Sequence, residues 1–182
     1  MNLDNRVCEI LDIKVPIIQA GMAGDKITTV DLIVNVCEAG GLGTLGAAYM
    51  HPEDIRQAVR EIRKYTKRPF AVNLFATEME DNIGGLEEVQ QVLDKMRGIL
   101  SIKRVEQEVK TKSLFKEQFK VLVEEQVPIV STAFGILPPY AMKIAKENDI
   151  KVMTMVTTVK EALTAQEQGT DVIIAQGSEA GG

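Results

Sequence analysis

The segment with the clearest chemical potential is a short apolar run that opens into a glycine-rich stretch. Asp171-Val-Ile-Ile-Ala-Gln176 is typical of a buried strand, and Gly177-Ser-Glu-Ala-Gly-Gly182 follows it directly. Glycines at a strand end leave backbone N–H groups uncovered by side chains, and this geometry suits a phosphate or another oxyanion. We therefore interpret these residues as part of a ligand site. We also expect the natural chain to continue past Gly182, because a ligand loop needs structure behind it.

Composition excludes several classes of partner. Apolar residues make up 45% and charged residues 26% of the 182 residues, which is typical of a globular domain. A net charge of −5 without a basic stripe argues against a nucleic-acid partner. No apolar run approaches the roughly 20 residues of a membrane helix, and the polar N-terminus has no apolar segment of a signal peptide. We expect no membrane association.

The cysteine and histidine content predicts neither disulfides nor a metal site. Cys8 and Cys37 are the two cysteines, and they are far apart in sequence, with no CxxC spacing. This pattern favours reduced thiols and a cytoplasmic location. The single histidine, His51, precedes Pro52 at a predicted helix start, where we interpret it as a cap-region residue.

Six short apolar runs predict the strands that must position the glycine-rich segment. They are rich in Val, Ile and Thr and are nearly continuous rather than alternating, which is typical of parallel strands buried on both faces. The predicted strands are Val15–Ala20, Gly41–Gly46, Phe70–Phe75, Pro128–Ala133, Lys151–Val156 and Val172–Ala175.

Helical patterns lie between the strands and complete a strand–helix repeat. Their starts carry capping residues or proline, and glycine ends two of them. The predicted helices are Val30–Ala39, a segment that begins at Pro52, Leu86 to about Leu100, Pro138 to about Asn148, and Thr158 or Val159 to Gly169. The repeat permits a doubly wound sheet or a barrel.

We predict an α/β fold of the TIM (β/α)₈ barrel type, with about six β/α units in this chain. Gly41-x-Gly43-x-x-Gly46 has the letters of a dinucleotide fingerprint, but it falls within a predicted strand rather than at a strand-to-helix turn. We interpret those glycines as allowing tight strand packing. Residues 1–182 are then the N-terminal part of one barrel domain.

Residues 78–113 interrupt the repeat and predict a helical insertion. A turn-rich loop over 78–85 precedes the helix that starts at Leu86, and the stretch from Lys103 to Lys112 is densely charged. The insertion leaves from the end of the third predicted strand. It is interpreted either as a solvated helix or as a lid over the site, and the sequence leaves both open.

Four motifs together resemble the nitronate monooxygenase family, formerly called 2-nitropropane dioxygenases, which includes the FMN-dependent enoyl-acyl-carrier-protein reductases. The motifs come in the family's order, and the resemblance covers the whole chain but only the N-terminal portion of a family member. They are Pro16-Ile-Ile-Gln-Ala-Gly-Met-Ala23, Ala39-Gly-Gly-Leu-Gly-Thr-Leu-Gly46, Pro69-Phe-Ala-Val-Asn-Leu74 and Gln176-Gly-Ser-Glu-Ala-Gly-Gly182.

The resemblance implies an FMN cofactor and a set of residues that contact it. A glycine allows close backbone approach to a ligand, and a carboxamide offers both a donor and an acceptor to the edge of a flavin ring. The implied cofactor-binding residues are Gly21, Met22, Asn73, Gln176, Gly181 and Gly182.

The family's catalytic residue is not among the residues of this sequence. The resemblance implies a His immediately after Gly182, at position 183, so the catalytic residue stays unknown. Thr154-Met155 stands where some family members carry a His-Lys pair, and methionine cannot supply a cation beside the flavin. This departure bears on the substrate class rather than on flavin binding.

The resemblance implies a flavoprotein oxidoreductase that acts on a small molecule. The first hypothesis is an FMN-dependent nitronate monooxygenase, which oxidises alkyl nitronates with O₂ to carbonyl compounds and nitrite. The alternatives are an FMN-dependent enoyl-acyl-carrier-protein reductase that uses NAD(P)H, and a truncated, non-catalytic barrel fragment. A homo-oligomer is left open.

Overall fold

The computed structural model describes residues 5–24, 27–77, 85–103 and 113–179. The chain divides into two compact units, one formed by residues 1–77 with 114–182 and the other by residues 78–113. The first unit contains a parallel sheet and its helices. The second contains helix α4, Leu86–Leu100, which confirms the predicted helix. The predicted loop over 78–84 and most of the charged stretch after Lys103 lie outside the described residues.

The sheet of the first unit is entirely parallel, and its strands are ordered in space as they are in sequence. The strands are β1 (Thr44–Gly46), β2 (Ala71–Phe75), β3 (Ile129–Ala133), β4 (Lys151–Val156) and β5 (Val172–Ala175). A doubly wound sheet reverses its strand order at a switch point, whereas a (β/α)₈ barrel adds each new strand on the same side. The sequential order therefore confirms the predicted α/β barrel class.

The first predicted strand is wrong as a strand but right in its position. Of residues 15–20, only Ile18 forms a β-bridge, to Leu42, and this bridge is parallel. Two backbone hydrogen bonds of 2.9 Å accompany it, from Leu42 N–H to Ile17 and from Gln19 N–H to Leu42. The ladder does not extend further towards the N-terminus, where Pro16 has no N–H to donate. The segment still borders the sheet next to β1.

The described residues of the first unit form six helices, and the sequence predicted four of them. Thr29 caps α2 by accepting a 3.2 Å hydrogen bond from Leu32 N–H, and Thr158 begins α7 with a capping box. The short helix α1 and the helix α5 were missed. The helices are α1 (Arg6–Leu11), α2 (Val30–Glu38), α3 (Pro52–Tyr65), α5 (Phe115–Glu124), α6 (Pro139–Glu147) and α7 (Val159–Glu167).

Alternate residues of the strands pack into two separate apolar clusters. Leu45, Val72 and Val130 belong to the cluster that includes the buried residues of α2, α3, α5 and α6. Ala71 and Ile129 point to the other face, where they pack with Cys8, Leu11 and Met153. The missed helix α1 thus covers this second face near the starts of β2 and β3. We call this second face the concave face, because the first face, which packs against α2, α3, α5 and α6, corresponds to the outside of a barrel.

A buried amide fixes the loop that follows β1. The side chain of Gln118 on α5 is 2% exposed, and its Nε2 donates to the carbonyl oxygens of Ala47 (3.2 Å), Ala48 (3.2 Å) and Met50 (2.8 Å). The two N–H groups of one amide therefore serve three backbone acceptors of this loop, and the Ala47 carbonyl also accepts from Met50 N–H at 2.9 Å. This loop contains Tyr49 and leads to α3.

We expect Gln118→Met to lower the free energy of unfolding by about 1–3 kcal/mol, because the buried carbonyls lose their donor while the side-chain volume is kept. Chemical denaturation measures the effect. Gln57→Met, at an exposed position of α3, is the matched control, and we expect it to stay within about 0.5 kcal/mol of the parent. Equal stability of the two variants would contradict the role of Gln118.

Candidate functional site

Asn73 lies on the concave face in the middle of β2. It is two residues after Ala71, so the strand alternation places both side chains on one face. Its side chain is 8% exposed, and Nδ2 donates a 2.8 Å hydrogen bond to Oγ of Ser131, its register partner on β3. This bond fixes the plane of a carboxamide, a group that offers two donors and an acceptor.

The segment after the first bridge passes directly against Asn73 and the end of β1. A Cβ atom on Gly21 would lie 2.8 Å from Cγ2 of Thr44 and 3.0 Å from Cβ of Asn73. A Cβ atom on Gly46 would collide with the carbonyl group of Met22 and lie 2.9 Å from the backbone N of Ala23. Because real Cβ atoms do not approach this closely, both positions require glycine.

Two polar side chains hold this segment in place. The carboxamide of Gln19 accepts a 3.0 Å bond from Thr44 N–H and donates a 3.2 Å bond to the Thr44 carbonyl, so it replaces a strand pairing. The hydroxyl of Thr28 donates to the carbonyl of Met22 (3.2 Å) and accepts from Gly46 N–H (3.0 Å). The backbone of residues 21–22 is thereby attached to β1 on both sides.

The hydroxyl of Thr44 is a buried polar group without a protein partner. Thr44 is 2% exposed, and its Oγ1 has no hydrogen-bond partner in the described part of the chain. Buried hydroxyls are normally paired, so an unpaired one next to Gly21 needs an explanation. The concave face therefore has an unsatisfied hydrogen-bonding group beside Gly21.

A strained turn follows β3 at the carboxyl edge of the sheet. Phe134 has a left-handed backbone with φ of 55°, and Gly135 follows with φ of 140°. The Thr132 hydroxyl donates a 2.9 Å bond to the Gly135 carbonyl, and a Cβ atom on Gly135 would lie 2.6 Å from the carbonyl oxygen of Ala76. The turn is thus packed against the residue that follows β2.

A groove of about 840 Å³ opens beside this turn. Its lining includes Phe134, Met155 and Gln176, together with the start of α6. Glu161 lies at its border, and hydrogen bonds from the backbone N–H and hydroxyl of Thr157 hold the pKa of that carboxyl below its usual range. Glu161 is therefore a charged capping residue of α7 rather than a proton donor.

The structure brings some of the predicted site residues together and separates others. Gly21 and Asn73 are in contact distance, and the Met22 backbone lies against Gly46 while its side chain is 50% exposed. Gln176 follows β5 and lines the groove, with its backbone N–H bonded to the Val156 carbonyl at 2.9 Å. The predicted residues Gly181 and Gly182 lie outside the described residues.

Thr154 and Met155, the positions that depart from the family pattern, lie in different surroundings. Thr154 is fully buried, and its hydroxyl pairs with that of Thr170 at 2.9 Å. Met155 is the residue of this pair that reaches the groove. His51 occupies the N-cap position of α3, as predicted, although its side chain makes no capping hydrogen bond.

Sequence reasoning missed the residues that hold the site rather than form it. Gln19, Thr28, Thr44 and Ser131 are all polar residues in or beside apolar strand segments. That is the signal that could have found them, because a buried polar group needs a partner. Which partner each one finds depends on pairings between segments distant in sequence, and the local pattern does not contain them.

Two kinds of feature, a metal-binding cluster and a membrane-spanning helix, are absent from the described residues. They contain no group of three or more His, Cys, Asp or Glu placed to hold a metal ion. No helix among them has both the length and the apolar character needed to cross a membrane.

Comparison with known proteins identifies the family. A family model described as nitronate monooxygenase matches residues 4–182. The chain belongs to the nitronate monooxygenase family. A probable nitronate monooxygenase of Staphylococcus saprophyticus is 39% identical over the whole chain and 51% of its own length. A second, from Staphylococcus aureus, is 35% identical over 98% of the chain and 50% of its own length.

Solved structures of other proteins have the same fold. Nitroalkane oxidase from Streptomyces ansochromogenes matches with a TM-score of 0.81 and 29% identity, over 95% of this chain and 48% of that one. A mutant of FabK from Thermotoga maritima matches with a TM-score of 0.73 and 31% identity, over 98% of this chain and 48% of that one. The chain thus spans about half the length of the proteins that it matches.

We expect Gly46→Ala to lower the free energy of unfolding by about 1–3 kcal/mol, because the added methyl group forces the Met22 backbone away from β1. Thermal or chemical unfolding measures this change. Gly98→Ala is the matched control: Gly98 lies within α4, nothing is within 4 Å of its ideal Cβ, and alanine favours a helix. A Gly46→Ala protein as stable as the control would show that the approach is not restrictive.

Proposed function

We propose that this chain is part of an FMN-dependent nitronate monooxygenase that oxidises alkyl nitronates with O₂ to carbonyl compounds and nitrite. The observation that carries the proposal is the contact of Gly21, Gly46 and Asn73, at the carboxyl end of β1 and the middle of β2. Barrel enzymes place their chemistry at this edge of the sheet. Family membership supports the same reaction class.

The residues of this edge fit a flat, polar ring. Glycine at positions 21 and 46 lets the backbone of residues 21–22 pack directly against β1 and Asn73, so this backbone would lie beside the ring. Asn73, held by Ser131, presents donors and an acceptor in a fixed plane. The unpaired hydroxyl of Thr44, next to Gly21, can form a further hydrogen bond with a ligand. We assign FMN contacts to Gly21, Met22, Asn73 and Gln176, and to Gly181 and Gly182 beyond the described residues.

FMN, when bound, supplies the electron transfer and the reaction with O₂. The task of this chain is to bind and orient. Gln19 and Thr28 fix the backbone that would support the ring, and Ser131 fixes the carboxamide at its edge. These contacts are made before any ligand arrives, so little ordering free energy is needed on binding.

The groups that the described site offers support the proposed substrate class. A nitronate is already deprotonated and has carbanion character, so its oxidation needs no strong base for C–H removal. Met155 on the groove is neutral, and Glu161 is committed to capping α7. Such a site suits a substrate that arrives activated and needs an apolar, oriented pocket.

A second candidate function is an FMN-dependent enoyl-acyl-carrier-protein reductase that takes hydride from NAD(P)H. The match to FabK at 31% identity favours it. The two reactions need different co-substrates, so they are separable in one assay series. A non-catalytic barrel fragment is the third candidate, and it would bind no flavin.

The proposed domain organisation and location complete this assignment. Residues 1–182 form the N-terminal part of one FMN-binding barrel, with a helical insertion at about 78–113 that is either a solvated helix or a lid. We propose a cytoplasmic location, in keeping with the buried cysteines Cys8 and Cys37, which form no disulfide among the described residues.

The deciding experiment is oxygen uptake by FMN-loaded protein from the complete reading frame, given ethyl nitronate without NADH. We expect rapid uptake and nitrite formation. Flavin-bound protein that takes up no oxygen, but oxidises NADH with an enoyl thioester, would overturn the proposal in favour of the reductase. Protein that binds no flavin would support the third candidate, a non-catalytic barrel fragment.

We expect Asn73→Leu to raise the Kd for FMN about tenfold or more, because at least one ring hydrogen bond worth about 1.4 kcal/mol is lost. Quenching of flavin fluorescence on titration measures the Kd. Asn35→Leu, at an exposed position of α2, is the control and should bind FMN like the parent. If both variants bind FMN equally well, Asn73 does not contact the ring.

A further inference from the structure

Three aromatic side chains form a cluster at the carboxyl edge of the sheet. Phe75 ends β2, and its ring meets Tyr49 edge-to-face at 5.4 Å and Phe134 at 4.9 Å between centroids. Tyr49 follows β1, and Phe134 follows β3. Three consecutive strands thus each contribute one ring to the same place. We call Tyr49, Phe75 and Phe134 the aromatic cluster.

Two of these rings are exposed although apolar contact would favour burial. Phe134 is 74% exposed and Tyr49 is 64% exposed. Phe134 also has a left-handed backbone, which is unfavourable for a bulky residue and would suit glycine. A strained residue that keeps a large ring in solvent is a sign of a function for that ring.

The aromatic cluster lies directly beyond the candidate flavin contact. Phe75 is two residues after Asn73 on β2, so both side chains project from the concave face, about 7 Å apart along the strand. Tyr49 is fixed by the loop that Gln118 holds. A substrate stacked on a ring at Asn73 would therefore extend towards the aromatic cluster.

The groove continues this apolar surface. Phe134 contacts Phe75 on one side and lines the 840 Å³ groove with Met155 and Gln176 on the other. Met155 adds a neutral, apolar side chain to the lining of the groove. Small-molecule sites are commonly apolar clefts of 300–1,000 Å³ with few polar groups, and this groove fits that class.

We infer that the aromatic cluster binds the alkyl chain of the substrate and makes the enzyme selective for longer nitronates. The inference rests on the proposed function, because it deepens the substrate class of the same site. Tyr49, Phe75 and Phe134 are specificity-determining residues: they contact the chain rather than the reacting nitro carbon. The exposed ring of Phe134 is the contact that distinguishes a long chain from a short one.

The test measures kcat/KM for ethyl, butyl and hexyl nitronates with the FMN-loaded, full-length protein. We expect kcat/KM of the parent to rise roughly fourfold for each methylene that becomes buried. Phe134→Ala should reduce this increment to less than about twofold, so kcat/KM for hexyl nitronate should fall by a larger factor than kcat/KM for ethyl nitronate. Tyr65→Ala, which removes a 63% exposed ring of α3 outside the cluster, is the matched control and should keep the parent's increment.

Phe134→Gly separates loss of the ring from loss of the fold. Glycine adopts a positive φ without strain, so this variant should melt at or above the temperature of Phe134→Ala and lose the chain-length dependence equally. A binding assay gives a readout independent of turnover. Alkanoates from propanoate to heptanoate are planar anions like nitronates, and calorimetric titration of the FMN-loaded protein gives their Kd.

Each outcome decides one point. Equal losses for ethyl and hexyl nitronates, or a chain-length dependence that survives Phe134→Ala and Phe134→Gly, would overturn the inference and leave the cluster a packing role. Loss of the dependence in both variants, with Tyr65→Ala unchanged, supports it. If no nitronate is turned over but alkanoate affinity depends on chain length and on Phe134, the proposed reaction fails and the aromatic contact stands.

Discussion

The close approach of the Met22 backbone to Gly46 is the constraint on which the site depends. No side chain can stand between the segment at residues 21–22 and β1, because even a methyl group would collide with the Met22 carbonyl. Gln19 and Thr28 then fix that approach with hydrogen bonds on both sides. The result is a segment of backbone held close beside Asn73, in place before any ligand binds.

The two faces of the sheet have different roles, so most residues that stabilise the fold are separate from those of the candidate site. The helix-covered face carries the larger apolar cluster, and most of the burial that stabilises the first unit is there. On the concave face, α1 covers the beginnings of β2 and β3 with Cys8 and Leu11. Polar residues such as Asn73 and Ser131 can therefore lie beyond α1 on the same strands, paired with each other.

A strained and exposed residue, Phe134, lies at the carboxyl edge of the sheet. Phe134 adopts a conformation that glycine would adopt more readily, and Thr132 and Ala76 hold its turn in place through β2 and β3. A rigid sheet can maintain such a turn because the contacts that oppose its relaxation come from elements that are already packed. The unpaired Thr44 hydroxyl lies at the beginning of β1 on the concave face, next to Gly21, where ligand binding is proposed.

The sequence by itself determined the fold class, most element positions and the identity of the candidate residues. Continuous apolar runs predict parallel strands, and caps such as Thr29 and Thr158 mark helix starts, because both signals are local. It also indicated that the glycines of 41–46 serve tight packing, which the contacts of Gly43 and Gly46 confirm. Tertiary structure decided that residues 15–20 pair at one bridge only, that α1 covers the concave face, and that Asn73 meets Ser131 and Phe75 meets Phe134. Those outcomes depend on the register between segments far apart in sequence, and a local pattern does not specify register.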